Sequence, residues 1–253
     1  MALLETNRIF VHFGGLAAVK GLSLSIEPGE RVALIGPNGA GKTTFFNVLT
    51  GQIRPSSGSV HFKGMDITNH SVYARTHMGM ARSFQITSLF PNLSVMVNVL
   101  IALQGIRRGR YDLRRYFLKD KELVAIAQEL LESVALWDLR DEKVSSLAYG
   151  QQRKLEIALP LASSPDLLLL DEPSCGLTPA ESSDITSRIR DLGPKITVLM
   201  IAHDMDLVFG VAERVILLHY GEIACEGTCE EIRANQMVKE IYMGSRKSVT
   251  GTW

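Results

Sequence analysis

The stretch Arg31-Val32-Ala33-Leu34-Ile35-Gly36-Pro37-Asn38-Gly39-Ala40-Gly41-Lys42-Thr43-Thr44 decides how this chain is read. Val32 to Ile35 form a short apolar run of the kind that makes a buried strand. A glycine-rich turn follows, and a helix is expected from Lys42 toward Leu49. The segment Gly36 to Thr43 fits GxxxxGK[ST], placed after a strand and before a helix, the context in which that spacing carries a mechanism. Glycines let successive backbone N–H groups turn inward on a phosphate without a Cβ clash, and the helix N-terminus adds positive potential at the same point. Gly36, Pro37, Asn38, Gly39, Ala40, Gly41, Lys42, Thr43 and Thr44 are therefore the expected cradle for a nucleotide's phosphates. Lys42 is placed to reach the β- and γ-phosphates, and the Thr43 hydroxyl to reach Mg²⁺. A plain strand-to-helix turn needs neither Lys42 nor Thr43 in its place.

Outward from this loop the chain alternates strand and helix. Strands are predicted at Arg8 to Phe13 and Leu22 to Ile26, a turn at Glu27-Pro28-Gly29-Glu30, and a further strand at Ser59 to Phe62. From Ser94 to about Ser146 the spacing is helical, as in Glu122 to Val134, which predicts a helical subdomain inserted into the first lobe. Alternation returns with Leu167 to Leu170, a helix from Pro179 to Leu192, and strands at Thr197 to Ile201 and Val215 to Leu218. Thr178-Pro179-Ala180-Glu181 reads as a capping box with proline at the first helical position. The expected fold is α/β with a mostly parallel sheet. The chain is expected to be one domain over 1–253, with its core lobe at 1–93 and 147–244, helical subdomain at 94–146 and flexible tail at 245–253.

Leu167-Leu168-Leu169-Leu170-Asp171-Glu172 ends a strand in two carboxylates, and a parallel sheet delivers such residues to the crevice outside its C-terminal edge. The phosphate loop opens on that same edge. Asp171 is expected to orient Mg²⁺ through its water shell, and Glu172 to polarise a water for in-line attack on the γ-phosphate.

Composition narrows the partners. With 27 Lys plus Arg against 27 Asp plus Glu, no net positive field draws the chain to nucleic acid or an anionic membrane surface. The longest apolar runs, Val95 to Leu103 and Leu167 to Leu170, fall short of the roughly 20 residues that cross a bilayer, so no membrane span is expected. The start MALLETNRIF has no secretory pattern, which points to the cytoplasm. Cys175, Cys225 and Cys229 are an odd set that completes no zinc site, so neither a disulfide nor a bound metal is expected there.

Ser146-Leu147-Ala148-Tyr149-Gly150-Gln151-Gln152-Arg153, standing ahead of Leu167 to Pro173, resembles the signature motif of ATP-binding-cassette (ABC) ATPases. Gln85 in Arg82-Ser83-Phe84-Gln85 and His203 in Ile201-Ala202-His203-Asp204 are similar to that family's Q-loop and switch histidine, in the same order. The resemblance implies a P-loop NTPase fold with a RecA-like core, an N-terminal antiparallel β subdomain and an inserted helical subdomain. It implies ATP and Mg²⁺ as ligands, with two such domains facing head to tail, so that Ala148, Tyr149, Gly150 and Gln151 close over the ATP held by the other. It gives Gln85 the sensing of Mg²⁺ and attacking water, His203 the γ-phosphate, and Phe13 the adenine ring, with Val19 nearby.

Phe13-Gly14-Gly15-Leu16, Ala81 to Gln85, Ser88-Leu89-Phe90, Leu147 to Arg153 and Ile241-Tyr242-Met243-Gly244 resemble the LivG-type ATPases of branched-chain amino acid importers. ATPases of urea and short-amide importers share much of this pattern, and lipid-transport ATPases of the LptB type are also related. Soluble ABC proteins outside transport normally carry tandem cassettes or an inserted coiled coil, which this sequence lacks. The implied partners are a second ATPase subunit, two permease subunits and, indirectly, a solute-binding protein, with no nucleic acid. The implied location is peripheral, on the cytoplasmic face of the inner (plasma) membrane. The region of Phe90, Leu93, Val95 and Met96 is where such a permease is expected to dock. Ala148 replaces the usual signature serine, Thr178 the usual D-loop aspartate, and Leu159-Pro160 an arginine and a small residue. A proline inside a helix costs roughly 3 kcal/mol unless it is accommodated.

Overall fold

The computed structural model describes residues 1–83, 89–106 and 120–246. Two sheets organise them. Strands β1 (Leu4–Phe13), β2 (Leu16–Ile26), β4 (Ser57–Phe62) and β5 (Met65–Asp66) form an antiparallel sheet in the order β2-β1-β4-β5. The larger sheet, in the order β10-β9-β3-β8-β7-β6, is built from β3 (Arg31–Ile35), β6 (Met80–Arg82), β7 (Leu167–Asp171), β8 (Thr197–Ile201), β9 (Arg214–His219) and β10 (Glu222–Thr228). All its pairings are parallel except that of edge strand β10 with β9.

The parallel strands read as continuous apolar runs because both faces of the sheet are covered. Side chains alternate across it, and the alternation divides the core. Val32, Leu34, Leu167, Leu169, Leu199 and Ile201 join the cluster facing the antiparallel sheet, while Ala33, Ile35, Leu168, Leu170, Val198 and Met200 face the opposite way. Helix α1 (Lys42–Thr50) lies on the first side and buries Phe45, Phe46, Val48 and Leu49 there, each worth about 1.5–3 kcal/mol of transfer free energy. It stops at Gly51, whose φ of 80° suits the left-handed cap conformation. Helices α6 (Pro179–Arg190) and α7 (Met205–Val211) cover the other side through Ile185, Ile189, Leu207 and Val208. Thr178 caps α6 as the sequence predicts, with Glu181 Oε2 accepting from the Thr178 N–H at 2.9 Å.

A third cluster sits among α3 (Val95–Ile106), α4 (Lys121–Ser133) and α5 (Tyr149–Leu161). Its spacing is helical: Leu123, Ala127 and Leu131 form one stripe of α4. Helix α5 serves two cores, placing Leu155 and Ala158 in this cluster and Ile157 in the sheet's. Pro160 lies in the last turn of α5, where only the end of the hydrogen-bond ladder is lost, and its carbonyl accepts from the Ser163 hydroxyl at 2.8 Å. Short helices α2 (Val72–His77) and α8 (Cys229–Ala234) complete the chain with α9 (Gln236–Arg246), so the tail expected from Ser245 lies outside the described residues except for its first two. Among the described residues no helix is long and apolar enough to cross a membrane.

Candidate functional site

Three neighbouring parallel strands, β3, β8 and β7, end on one edge of the large sheet and deliver the phosphate loop, His203 and the Asp171-Glu172 pair there. The loop leaves β3 at Gly36 and enters α1 after Gly41, whose φ of 101° no side-chain-bearing residue adopts easily. Backbone encloses this turn. A Cβ at Gly36 would lie 2.2 Å from the Leu218 carbonyl oxygen, and one at Gly41 would lie 2.4 Å from that of Ala18. Gly221 N–H donates to Ala40 O at 3.0 Å and fixes the loop against the β9–β10 turn.

Lys42 is buried, and its Nζ donates to Gly36 O at 2.7 Å and Pro37 O at 2.9 Å across the mouth of the loop. Burial pushes its pKa below the ordinary 10.5, against the weaker opposing pull of Glu172 and Asp171. His203 Nε2 stands 2.9 Å from Glu172 Oε1. Burial, and then the Lys42 ammonium, lower the histidine's pKa below its ordinary 6.5, so the imidazole is neutral near pH 7 and Nε2–H donates to the carboxylate.

A cleft of about 570 Å³, within the size range of small-molecule sites, is lined by Asn38 to Thr44, Glu172, His203 and Phe13. Phe13 is 51% exposed at the end of β1, free to offer a ring face to a planar base. Leu16, Ala17, Ala18, Lys20 and Tyr220 also line the cleft, and sequence reasoning did not single them out. Val19 does not line it: its side chain is 0% exposed in the core, because β2 alternates and turns its neighbours Ala18 and Lys20 to the cleft. Gln85 lies outside the described residues.

Asp171 is 0% exposed. Its Oδ2 accepts from Arg82 Nη2 at 2.7 Å, whereas its buried Oδ1 has no hydrogen-bond partner among the described residues. Arg82 also donates to Asn47 Oδ1 on α1 at 2.6 Å, joining the strand end to the helix that follows the loop. This contact was not foreseen, although Arg82 stands in the stretch that flagged Gln85.

Ala148, Tyr149, Gly150 and Gln151 do not line the cleft; Ala148 is the N-cap of α5 and the other three begin its first turn. Gln151 Oε1 accepts from the Ala148 N–H at 2.9 Å, and the Tyr149 hydroxyl donates to Cys175 O at 3.1 Å. Of the region expected to receive a permease, Phe90 is exposed, Leu93 partly so, and Val95 belongs to the core of the helical cluster.

The sequence model of the ABC transporter family matches residues 19–175. The high-affinity branched-chain amino acid transport ATP-binding proteins BraF of Pseudomonas aeruginosa and LivG of Escherichia coli K12 are 36% and 37% identical to the chain over 249 residues, each alignment covering 96% of this chain and 98% of the relative. The ADP conformation of MJ1267, an ATP-binding cassette of an ABC transporter, superimposes with a TM-score of 0.86 at 32% identity, over 96% of this chain and 99% of that one. The dimeric post-hydrolysis state of the cassette MJ0796, bound to ADP and Pi, is similar with a TM-score of 0.76 at 26% identity, over 89% of this chain and 98% of that one.

Proposed function

The chain belongs to the ABC transporter family of ATP-binding subunits, and we propose that it powers an importer of branched-chain or other amino acids. The observation that carries the chemistry is the meeting of Glu172 and His203 at 2.9 Å in a cleft that Lys42 and Phe13 also line. In this reading the loop from Gly36 to Thr44 cradles the phosphates of ATP and Phe13 stacks on adenine. Lys42 exchanges its two carbonyl partners for phosphate oxygens, a charge-assisted contact about twice as strong as a neutral hydrogen bond. Glu172 takes a proton from the attacking water as its oxygen bonds to the γ-phosphorus in line with the bond to the β–γ bridging oxygen, which breaks and leaves with ADP. Neutral His203 orients that carboxylate in the free protein and, once Glu172 takes the water's proton, its single N–H turns to the charge developing on the γ-phosphate.

Mg²⁺ fits the oxygen donors present. Among the described residues buried Asp171 Oδ1 lacks a partner, Thr43 lines the cleft, and this cation is ordinarily held by one or two protein oxygens plus phosphates and water. When bound it neutralises charge on the β- and γ-phosphates. Asp171 then acts through its free oxygen while Arg82 holds the other, and Gln85 is assigned to the same cation.

Ala148 to Gln151 lie away from the chain's own cleft, which supports a head-to-tail pair in which this turn closes over the partner's ATP; the similar cassette MJ0796 is dimeric in a post-hydrolysis state bound to ADP and Pi. The transport partners are two permease subunits, and a solute-binding protein through them, at the cytoplasmic face of the membrane. In this reading the chain is one ATPase domain, with 94–146 as its helical part. The amino acid cargo is supported by the names of the relatives that match almost end to end.

The test is to isolate the Glu172→Gln protein from native membranes with ATP and Mg²⁺ to identify what co-purifies, and to measure solute uptake by the wild-type system assembled from the same subunits. Two permease subunits and a second ATPase should co-purify, and the attached binding protein should take leucine, isoleucine or valine. Recovery free of membrane subunits, while other transporters survive the isolation, contradicts the transport assignment, and preference for urea corrects the cargo.

A further inference from the structure

One side chain ties the helix that begins at Tyr149 to the backbone that carries Glu172. Arg153 Nε donates to Pro173 O at 3.0 Å, and its Nη2 donates to Asp171 O at 3.2 Å and to Glu172 O. Successive carbonyls from 171 to 173 thus converge on a single guanidinium, whose planar fork of donors suits such a fan of acceptors where a lysine ammonium does not. The fourth bond, from Nη1 to Glu156 Oε2 at 2.7 Å, anchors the arginine one turn along its own helix. Arginine and glutamate are both buried, so solvent does not compete for either.

The backbone being held is one that needs holding. Glu172 has a φ of 48°, in the left-handed region that a residue with a side chain seldom occupies, and such a conformation persists only where its surroundings over-determine it. On the strand side, the Glu172 N–H donates to Ile201 O at 2.8 Å. On the far side the carbonyls have Arg153. The first turn of α5 is tied to the residues that follow, through the Tyr149 hydroxyl on Cys175 O, and packs on the start of α6 at Gly150, where a Cβ would come within 2.2 Å of Glu181 Oε1.

We propose that Arg153 is a positioning residue for Glu172, anchored by Glu156, and that it makes the orientation of the Ala148–Gln151 turn and that of the catalytic carboxylate interdependent within one chain. Arg153 and Glu156 line no part of the nucleotide cleft, so this role is exerted through Glu172. The proposal rests on Glu172 being the base assigned above.

The experiment uses the full chain with Arg153→Met, Arg153→Lys and Glu156→Gln, measuring ATP affinity, KM, kcat and thermal unfolding for each. Arg153→Met should lower kcat on the order of tenfold to a hundredfold, the penalty of a misplaced reacting group, with ATP affinity nearly unchanged. Arg153→Lys should fall between, and Glu156→Gln should lose several-fold of kcat. The same three substitutions are then made on a Glu172→Gln background. Residual turnover there should not drop further, because the group they position is already gone; a multiplied loss overturns the proposal. If Arg153→Met does not fold, Glu156→Gln, which leaves the three carbonyl bonds in place and loosens only their anchor, decides the matter by the same readouts. Wild-type kcat in Glu156→Gln and Arg153→Lys also overturns it, as does a loss confined to KM. Absence of turnover in the wild type, or full turnover in Glu172→Gln, removes instead the assignment of the site itself.

Discussion

Replacing Gly41 by alanine tests the phosphate loop at its tightest point. The residue has φ 101° and ψ 1°, and a Cβ built there lies 2.4 Å from Ala18 O, whereas real Cβ atoms do not come within 3.0 Å. The loop and β2 must therefore separate by about 0.6 Å in a close-packed region. Neither is free to do so, since Gly221 bonds to Ala40 O at 3.0 Å and Lys20 N–H to Gly221 O at 2.8 Å. The free protein relaxes away from the strain and ATP binding must restore it, so the cost enters the dissociation constant. Left-handed backbone alone costs alanine about 1–2 kcal/mol, and the displaced donors add to it; a total of about 3 kcal/mol is a loss of roughly a hundredfold in affinity. Gly39→Ala is the control. Its φ is 79°, but a Cβ there meets nothing within 4 Å, so only the backbone term of about 1 kcal/mol, or about fivefold, applies. Titration calorimetry with ATP on both variants reads the difference. Equal losses would refute the steric reasoning.

Arg75 is fully buried and donates to the carbonyls of Val48, Leu49, Ile67, Thr68 and His70, so that burial brings its pKa down to about 10 and it still remains charged. Arg75→Met strands two carbonyls at the end of α1 and three between Ile67 and His70, and should destabilise the fold by about 3–5 kcal/mol, lowering Tm by about 6–20 °C in calorimetry. Lys42 gives a pH test. Its pKa in the free protein lies below 10.5, bound phosphates raise it, and binding therefore takes up a proton at alkaline pH. ATP affinity should fall as pH rises through the lowered value, and a Lys42→Ala protein should bind more weakly with a flatter profile; parallel profiles would contradict the role of the ammonium.

What the sequence disclosed is what local chemistry encodes. Gly36 to Thr43 is legible because phosphate, glycine and helix N-terminus meet within eight positions, and Thr178 to Glu181 because a capping box is closed within one turn. Leu167 to Asp171 is legible because a strand covered on both faces is apolar throughout. Strand β6 went unrecognised since three residues hold no period, and β10, an edge strand, carries Glu222 and Glu226 where a buried strand carries valine or leucine. Val19 was placed at the cleft by family resemblance, but the alternation of β2 turns it inward. Arg82 with Asp171, and Arg153 with Asp171 to Pro173, join residues far apart in the chain, and no spacing rule announces them. Leu159-Pro160 looked disruptive until its place in the last turn of α5 was known.

The account stands most directly on Glu172, and the measurement is phosphate release from ATP by Glu172→Gln against the wild type, with ATP affinity determined on the same samples. Loss of a positioned general base should lower turnover about 10²–10⁴-fold while affinity is kept and an ATP-bound dimer accumulates. Undiminished phosphate release would contradict the account, because no other carboxylate lines the cleft with Lys42 and His203 among the described residues.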